Sequence, residues 1–299
     1  MFEKIIGNKN AKEYLKSSFE NNKLSHSYLF LGIDGIGKKL FAQELAKYIL
    51  CLENGKCENK CKSCIEFVSD NNPDYKIIEP DGNVIKVDQI RELQTKIQER
   101  PIISNKKVYI INDGEKMNRE AQNCFLKTLE EPPEYATIII IGNNESAFLD
   151  TIKSRCIILH FEQIKDEELK IYLRDNLKMQ DISEDILQIF QGSIGKALEL
   201  KDKTSNYIKI EEIIQGLSQK QLIDVVNDAK ILYEAKDDIN SYLEYMNVIL
   251  IKLSKENHKY TKCIQIVENT KERLRSNSNY DMCIDYLLFN MWEEVNWKK

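Results

Sequence analysis

Residues 27–50 decide the fold of this chain and read SYLFLGIDGIGKKLFAQELAKYIL. A run of strand length, Ser27 to Gly32, enters a loop, and helical periodicity begins at Lys38. The loop has a glycine, four residues, a second glycine and a lysine, and its marker residues are Gly32, Gly35, Gly37 and Lys38. Such glycines let backbone N–H groups converge on phosphate oxygens, and the helix N-terminus adds the positive end of its dipole. The stretch therefore predicts a P-loop, in which Lys38 would reach the outer phosphates of ATP or ADP.

Strand-like and helical patterns alternate over the first part of the chain. The runs of strand length are 27–32, 75–79, 107–112, 136–142 and 156–161. Helical spacing occupies 38–50, 87–100 and 118–131. Alternation of this kind predicts an α/β domain, with a parallel sheet covered by helices, over residues 1–162. Only helical spacing follows, which indicates a small helical domain at 163–203 and a helical C-terminal domain at 204–299.

Charge and hydropathy limit the classes of function. The 299 residues include 43 basic and 48 acidic side chains, a net charge of -5, which gives no general attraction to a phosphate backbone. No apolar run approaches the roughly 18 residues needed to span a bilayer, and residues 1–10 lack the apolar centre of a signal peptide. We therefore expect a cytoplasmic protein with no membrane contact, whose DNA contacts are local or shared with partners.

The P-loop lacks the usual residues for a metal ion. Lys39 stands where a Ser or Thr hydroxyl would bind Mg²⁺, and an ammonium group cannot ligate a cation. The third predicted strand ends in Asn112 and Asp113, where an Asp-Glu pair would bind the metal and polarise water. Three alternatives stay open: a turn that binds no nucleotide, nucleotide binding without turnover, and ATP hydrolysis that uses Asp113 alone. The first two alternatives predict no Mg²⁺ site.

Four cysteines lie close together in a polar, turn-rich stretch, at positions Cys51, Cys57, Cys61 and Cys64. Four thiolates in a short loop suit a closed, tetrahedral, structural Zn²⁺ site. The alternatives are an iron–sulfur cluster, a redox disulfide, or a core position for Cys51 that leaves three ligands. The other four cysteines fall in apolar periodic segments, where core packing explains them: Cys124, Cys156, Cys263 and Cys283.

Several short motifs resemble those of the AAA+ clamp-loader subunits of bacterial DNA polymerase III. The residues that carry the resemblance are LSHSYLF at 24–30, the four-cysteine insert, NPD at 72–74, LKTLEEP at 126–132 and TIKSRC at 151–156. The resemblance covers roughly residues 1–200, and beyond them it rests on helical content alone. It implies an AAA+ domain with a zinc module at 51–64, a helical lid domain and an all-α collar domain.

The resemblance also implies a pentameric assembly that opens a ring-shaped clamp and places it on primed DNA. Its partners would be gamma or tau subunits and the delta subunit, with the sliding clamp and primer-template DNA reached through the complex. The ATPase subunits of that family have a Thr after the P-loop Lys, an Asp-Glu pair and a sensor Arg. Lys39, Asn112 and Gly195 depart from that pattern. The departures indicate a subunit that does not hydrolyse ATP.

Two further residues acquire roles from the resemblance. Arg155, within the SRC motif, would project into the ATP site of a neighbouring subunit, where a guanidinium stabilises charge on the γ-phosphate. The alternative is that Arg155 is only the partner of an intramolecular ion pair. Asn143, after the fourth strand, lies near the sensor-1 position, where a polar side chain orients water.

Three other functions stay open at this point. One is an active ATPase of the same fold. Another is a purely structural scaffold without a catalytic contribution. A third is a zinc-bearing DNA-binding module, because the cysteine loop contains Lys56, Lys60 and Lys62. Against the third stand Glu53, Glu58 and Glu66, which nearly cancel the charge of those lysines.

Overall fold

A computed structural model of the chain describes residues 1–3, 5–179, 184–276 and 278–296. The chain divides into two compact units. The first, here called the α/β unit, contains Met1–Leu169 and Ser193–Gly195. The second, the helical unit, contains Lys170–Gly192 and Lys196–Lys299. The boundaries of the three predicted domains, and in particular the division at residue 203, stay predictions.

The α/β unit follows the predicted alternation of strands and helices. Its strands are β1 (Ser27–Leu31), β2 (Tyr75–Ile78), β3 (Lys107–Ile111), β4 (Ala136–Gly142) and β5 (Ile157–His160). Its helices are α1 (Lys9–Glu20), α2 (Lys38–Leu50), α3 (Lys62–Val68), α4 (Val87–Gln98), α5 (Arg119–Glu130) and α6 (Asp150–Lys153). Each strand lies within one residue at either end of the run that the sequence predicts.

Within residues 1–3 and 5–179, five parallel strands form one sheet in the order β2-β3-β4-β1-β5. β1, β3 and β4 are buried along their whole length. Their continuous apolar runs suit strands that are covered on both faces. Alternate residues enter two separate core clusters, so that Leu29 packs on one side of the sheet and Phe30 on the other. The sheet places the C-terminal ends of β1, β3 and β4 next to one another.

The helical unit contains no strand among residues 170–179, 184–192, 196–276 and 278–296. The helices from residue 166 onward are α7 (Asp166–Leu177), α8 (Glu184–Phe190), α9 (Ile194–Leu200), α10 (Thr204–Gly216), α11 (Leu222–Asp228), α12 (Lys230–Glu234), α13 (Ile239–Glu256), α14 (Lys259–Arg275) and α15 (Tyr280–Asn296). Helix α13 packs against α10 and α14, and α14 packs against α15. Tyr207 lies edge-on to Tyr242 and Tyr245 in the core of this unit.

The predicted fold class is confirmed: a parallel α/β sheet domain that carries a four-cysteine cluster precedes an all-helical region. Among the described residues, no helix combines the length and the apolar character needed to cross a bilayer.

Candidate functional site

The P-loop connects β1 to α2 at the C-terminal edge of the sheet. Gly35 and Gly37 have φ angles of 72° and 92°, a left-handed conformation that residues with a Cβ rarely adopt. Gly37 is the N-cap of α2, so the loop leads directly into the helix N-terminus. A Cβ at Gly32 would lie 2.6 Å from the carbonyl oxygen of Phe161. The loop therefore has the backbone shape that the glycine spacing predicts.

The Lys38 ammonium group is held by oxygen atoms of the protein. Its Nζ donates to the carbonyl oxygens of Gly32 at 2.8 Å and Ile33 at 2.7 Å, and to Oδ1 of Asn143 at 2.7 Å. Lys38 is only 5% exposed, and this burial lowers the pKa of its ammonium group. An ammonium group has three N–H donors, and three protein acceptors take them all. A phosphate would have to displace at least one of these acceptors to bind Lys38.

The predicted metal-binding positions are engaged elsewhere. Lys39 forms an ion pair with Glu79, with 2.6 Å between Nζ and Oε1. The Asp113 carboxylate lies 3.1 Å from Nζ of Lys116 within the 3-10 turn that follows β3. The structure thus brings Lys38 and Asn143 together, whereas Lys39 and Asp113 each pair with a different charged side chain.

Gly195 lies directly against the P-loop. Its N–H donates to the carbonyl oxygen of Gly35 at 2.8 Å. A Cβ at position 195 would lie 2.6 Å from the Cα of Gly35, closer than such atoms approach without movement of the backbone. Gly195 therefore allows a close backbone contact at the position where the sequence lacks a sensor arginine.

The four cysteines of the predicted zinc module form one cluster. All four sulfur atoms lie within 4.8 Å of one another, and Cys57 Sγ is 3.4 Å from the sulfurs of Cys51 and Cys64. A disulfide needs about 2.05 Å between sulfurs, and no pair in this cluster is bonded. Tetrahedral ligands at about 2.3 Å from zinc lie about 3.8 Å apart, which fits this spacing. Cys51 is thus a member of the cluster as well as a buried residue at the end of α2.

The environment shifts the pKa values of three of these thiols, one downward and two upward. A hydrogen bond from the backbone N–H of Cys61 lowers the pKa of Cys57 to about 6, which favours its thiolate form. Burial raises the pKa of Cys51 and Cys64. A metal cation stabilises all four sulfurs as thiolates and leaves no open position for water. The residues present could therefore hold a structural metal ion of the zinc type.

Arg155 lies at the surface just after α6. Its Nη1 donates to the Thr151 carbonyl oxygen at 2.9 Å and to Ser154 Oγ at 3.3 Å. Its Nη2 donates to Oε1 of Glu130 at 2.5 Å. The intramolecular ion pair that the sequence left as an alternative is therefore present. The Arg155 side chain nevertheless keeps 31% of its area exposed.

The comparisons with known proteins define the family. The sequence profile of the family described as DNA polymerase III, delta subunit, matches residues 7–165. The chain belongs to this family. It is 29% identical to the DNA polymerase III subunit delta' of Bacillus subtilis over 93% of this chain and 94% of that protein. It is 30% identical to the DNA polymerase III subunit gamma of Buchnera aphidicola subsp. Acyrthosiphon pisum, over 79% of this chain and 69% of the relative.

A solved structure supports the AAA+ fold of this family member. It is a DNA polymerase III gamma-subunit-related protein from Thermotoga maritima, which matches with a TM-score of 0.51 and 19% identity. The match covers 94% of this chain and 99% of that chain. The family match and the delta' relative confirm the resemblance to clamp-loader subunits that the sequence motifs indicate.

Sequence reasoning missed three acidic residues in this family member. Glu79 pairs with Lys39, and Glu130 pairs with Arg155. Glu115, two positions after Asp113, has a buried carboxylate oxygen without a hydrogen-bond partner among the described residues, and its charge raises the pKa of Lys38 against the effect of burial. The position of Glu79 directly after β2 and of Glu115 after β3 was a usable signal, because parallel strands end at the same edge of the sheet as the P-loop.

A buried polar network attaches the cysteine module to the sheet of this AAA+ unit. The carboxylate of Asp74 accepts the backbone N–H groups of Ile102, Ile103 and Ser104, each at 2.7 Å. Asn72 donates to the carbonyl oxygen of Ser63 in α3 at 2.9 Å and accepts the Asp74 N–H at 2.9 Å. The NPD motif at 72–74 therefore fixes α3 and the loop before β3 in one arrangement.

Replacing Asp74 with Asn should lower the free energy of unfolding by about 3 kcal/mol, because an amide offers one acceptor oxygen to three buried N–H groups. Asp74 is 1% exposed, so water cannot supply the missing acceptors. Urea unfolding of the purified chain measures the effect. Asp88→Asn is the matched control, since the Asp88 side chain is 81% exposed in a surface pair with Arg91, and its change should stay within about 0.5 kcal/mol. Equal losses in both variants would contradict the prediction.

Proposed function

We propose that this chain is the non-hydrolysing, delta-prime type of subunit in a clamp loader, and that Arg155 acts in trans at the ATP site of a neighbouring subunit. The proposal includes assembly with gamma or tau subunits and the delta subunit. Contact with the sliding clamp and with primer-template DNA would occur through the assembled complex. Membership in the family supports the assembly, and the geometry of the P-loop supports the absence of turnover.

The observation that carries the proposal is the set of acceptors around Lys38. In an active P-loop the lysine binds the β- and γ-phosphates. Here Gly32, Ile33 and Asn143 accept all three of its N–H groups. The Lys39–Glu79 pair lies where a hydroxyl would bind Mg²⁺, and Asn112 replaces a carboxylate. These features together favour a site that does not turn over ATP, and they oppose the alternative in which Asp113 alone supports hydrolysis.

Arg155 supplies the catalytic part of the proposal. A guanidinium is planar, permanently charged and able to donate several N–H groups to phosphate oxygens. Arg155 lies at the surface of the α/β unit with part of its side chain accessible. It could therefore stabilise the charge that spreads over the γ-phosphate oxygens bound by another subunit.

We also propose that the four-cysteine cluster holds one structural Zn²⁺. The sulfur spacing and the all-cysteine ligand set suit zinc, and a closed site of four thiolates has no catalytic role. Around it Lys60 pairs with Glu58 at 2.8 Å, which reduces the charge available for DNA. This pairing favours a structural module over a DNA-binding one.

ATP turnover by the isolated chain tests the silent P-loop. We expect no magnesium-dependent hydrolysis above background, because Lys38 is engaged and two metal ligands are missing. The measurement is phosphate release at saturating Mg-ATP, with the gamma or tau subunit of the same organism as the active control. Turnover that Lys38→Ala abolishes would overturn the proposal and make this subunit an ATPase.

A further inference from the structure

We propose that Glu130 is a positioning residue for Arg155, an inference that rests on the proposed function of Arg155 in trans. Glu130 is the last residue of α5, and Arg155 follows α6, so β4 separates the two in the chain. The two side chains nevertheless meet, with 2.5 Å between Oε1 of Glu130 and Nη2 of Arg155. Among the described residues, Glu130 is the hydrogen-bond partner of the guanidinium that lies outside α6 and the turn that follows it.

The hydrogen bonds of the guanidinium separate its donors into two groups. Both donors on Nη1 are directed to Thr151 and Ser154, and one donor on Nη2 is directed to Glu130. A guanidinium carries five N–H donors. The second Nη2 donor and the Nε donor have no hydrogen-bond partner in the described part of the chain. Three donors therefore fix the plane of the group, and two remain for an anionic ligand outside this chain.

Helix stability does not explain a carboxylate at position 130. The C-terminal end of a helix carries a partial negative charge, which disfavours an acidic side chain there. Glu130 occupies this end of α5, and its side chain is 46% exposed. A half-exposed ion pair also contributes little to the stability of a fold. The contact instead connects the Arg155 guanidinium to α5 and so orients it at the surface.

Orientation matters because a guanidinium acts on the transition state only when its N–H groups point at the oxygens that gain charge. An arginine without the Glu130 contact keeps its charge and its Nη1 contacts to Thr151 and Ser154, but it loses the restraint on Nη2. We therefore expect Glu130→Ala to slow ATP hydrolysis at the site that Arg155 completes by about tenfold. ATP affinity should change by less than about twofold, because the neighbouring subunit provides the nucleotide pocket.

The experiment uses loaders assembled with the gamma or tau and delta subunits of the same organism. Single-turnover ATP hydrolysis, with clamp and primed DNA present, gives the rate and the ATP dependence for Glu130→Ala, Glu130→Gln, Arg155→Ala and the double variant. Removing Glu130 in the Arg155→Ala background should produce no further loss, because a positioning residue acts only through the group that it positions. Glu131→Gln is the matched control: Glu131 is the next residue, is exposed, and its side chain makes no hydrogen bond or ion pair among the described residues.

The outcomes distinguish this inference from the function on which it rests. A loss in Arg155→Ala together with an unchanged rate in Glu130→Ala would overturn the positioning role alone. A faster rate in Glu130→Ala would also overturn it, since the carboxylate would then restrain the arginine. An unchanged rate in Arg155→Ala would remove the proposed action in trans itself. Glu130→Gln removes the carboxylate charge with little risk of misfolding, because it keeps the shape of the side chain and the end of α5 disfavours that charge.

Discussion

Replacing Arg155 with alanine should remove one rapid ATP hydrolysis event from each assembled loader. The site that Arg155 completes should slow by about a thousandfold, the usual range for an arginine supplied from a neighbouring subunit. Sites completed by other subunits should keep their rates. The fast phase of single-turnover hydrolysis should therefore lose the amplitude of one site and keep its rate constant.

Two variants make this measurement specific. Arg155→Lys retains the positive charge and loses the planar fork of donors, so it should resemble alanine more than arginine. Arg91→Ala removes a guanidinium that is 65% exposed on α4 and paired with Asp88, and it should leave the fast phase intact. Size-exclusion chromatography must show the same assembly in all variants. A full-amplitude fast phase in Arg155→Ala loaders would leave the chain as a scaffold without catalytic contribution.

Loss of the metal is the second large effect. Cys61→Ser should lower the zinc content from about one per chain to a small fraction, because a closed site of this kind needs all four thiolates. It should also lower the free energy of unfolding by about 4 kcal/mol, because loss of a structural metal is one of the few changes with an effect this large. Cys61 suits the test because it is the most accessible of the four cysteines, so a hydroxyl at this position causes little desolvation cost.

Elemental analysis measures the zinc content, and thermal unfolding of the same samples measures the loss of stability. Cys124→Ser is the matched control, because it makes the same atomic change at a cysteine outside the cluster, where the thiol contacts Gln94. It should keep its zinc and most of its stability. Zinc that stays at one per chain in Cys61→Ser, or a wild-type chain without zinc, would contradict the assignment.

The elements of the α/β unit were predictable because their causes are local. The apolar run of β1 and the glycine spacing after it predict a strand, a loop and a helix, and α2 begins at Lys38 as expected. The cysteine cluster was predictable for the same reason, since its members lie within 14 residues of one another. Periodicity and spacing are sufficient where the interacting residues are neighbours in the chain.

The partners of the site residues were not predictable in this way. Lys38 meets Asn143 across 105 positions, Lys39 meets Glu79 across 40, and Arg155 meets Glu130 across 25. Each pair depends on the order of the strands in the sheet, and the sequence pattern does not specify that order. The sequence therefore identified the positions that lack the usual residue types, and the structure identified what the side chains at those positions contact.

The contact between Gly195 and Gly35 has a consequence for engineering. Substituting Thr for Lys39 and Asp for Asn112 would introduce the two usual metal ligands. The third change, an arginine at position 195, would place a Cβ 2.6 Å from the Cα of Gly35. Both atoms belong to the main chain or are fixed to it, so no rotamer relieves the overlap. A programme to convert this chain into an ATPase would have to redesign the backbone of the P-loop or of residues 193–195 before it exchanged side chains.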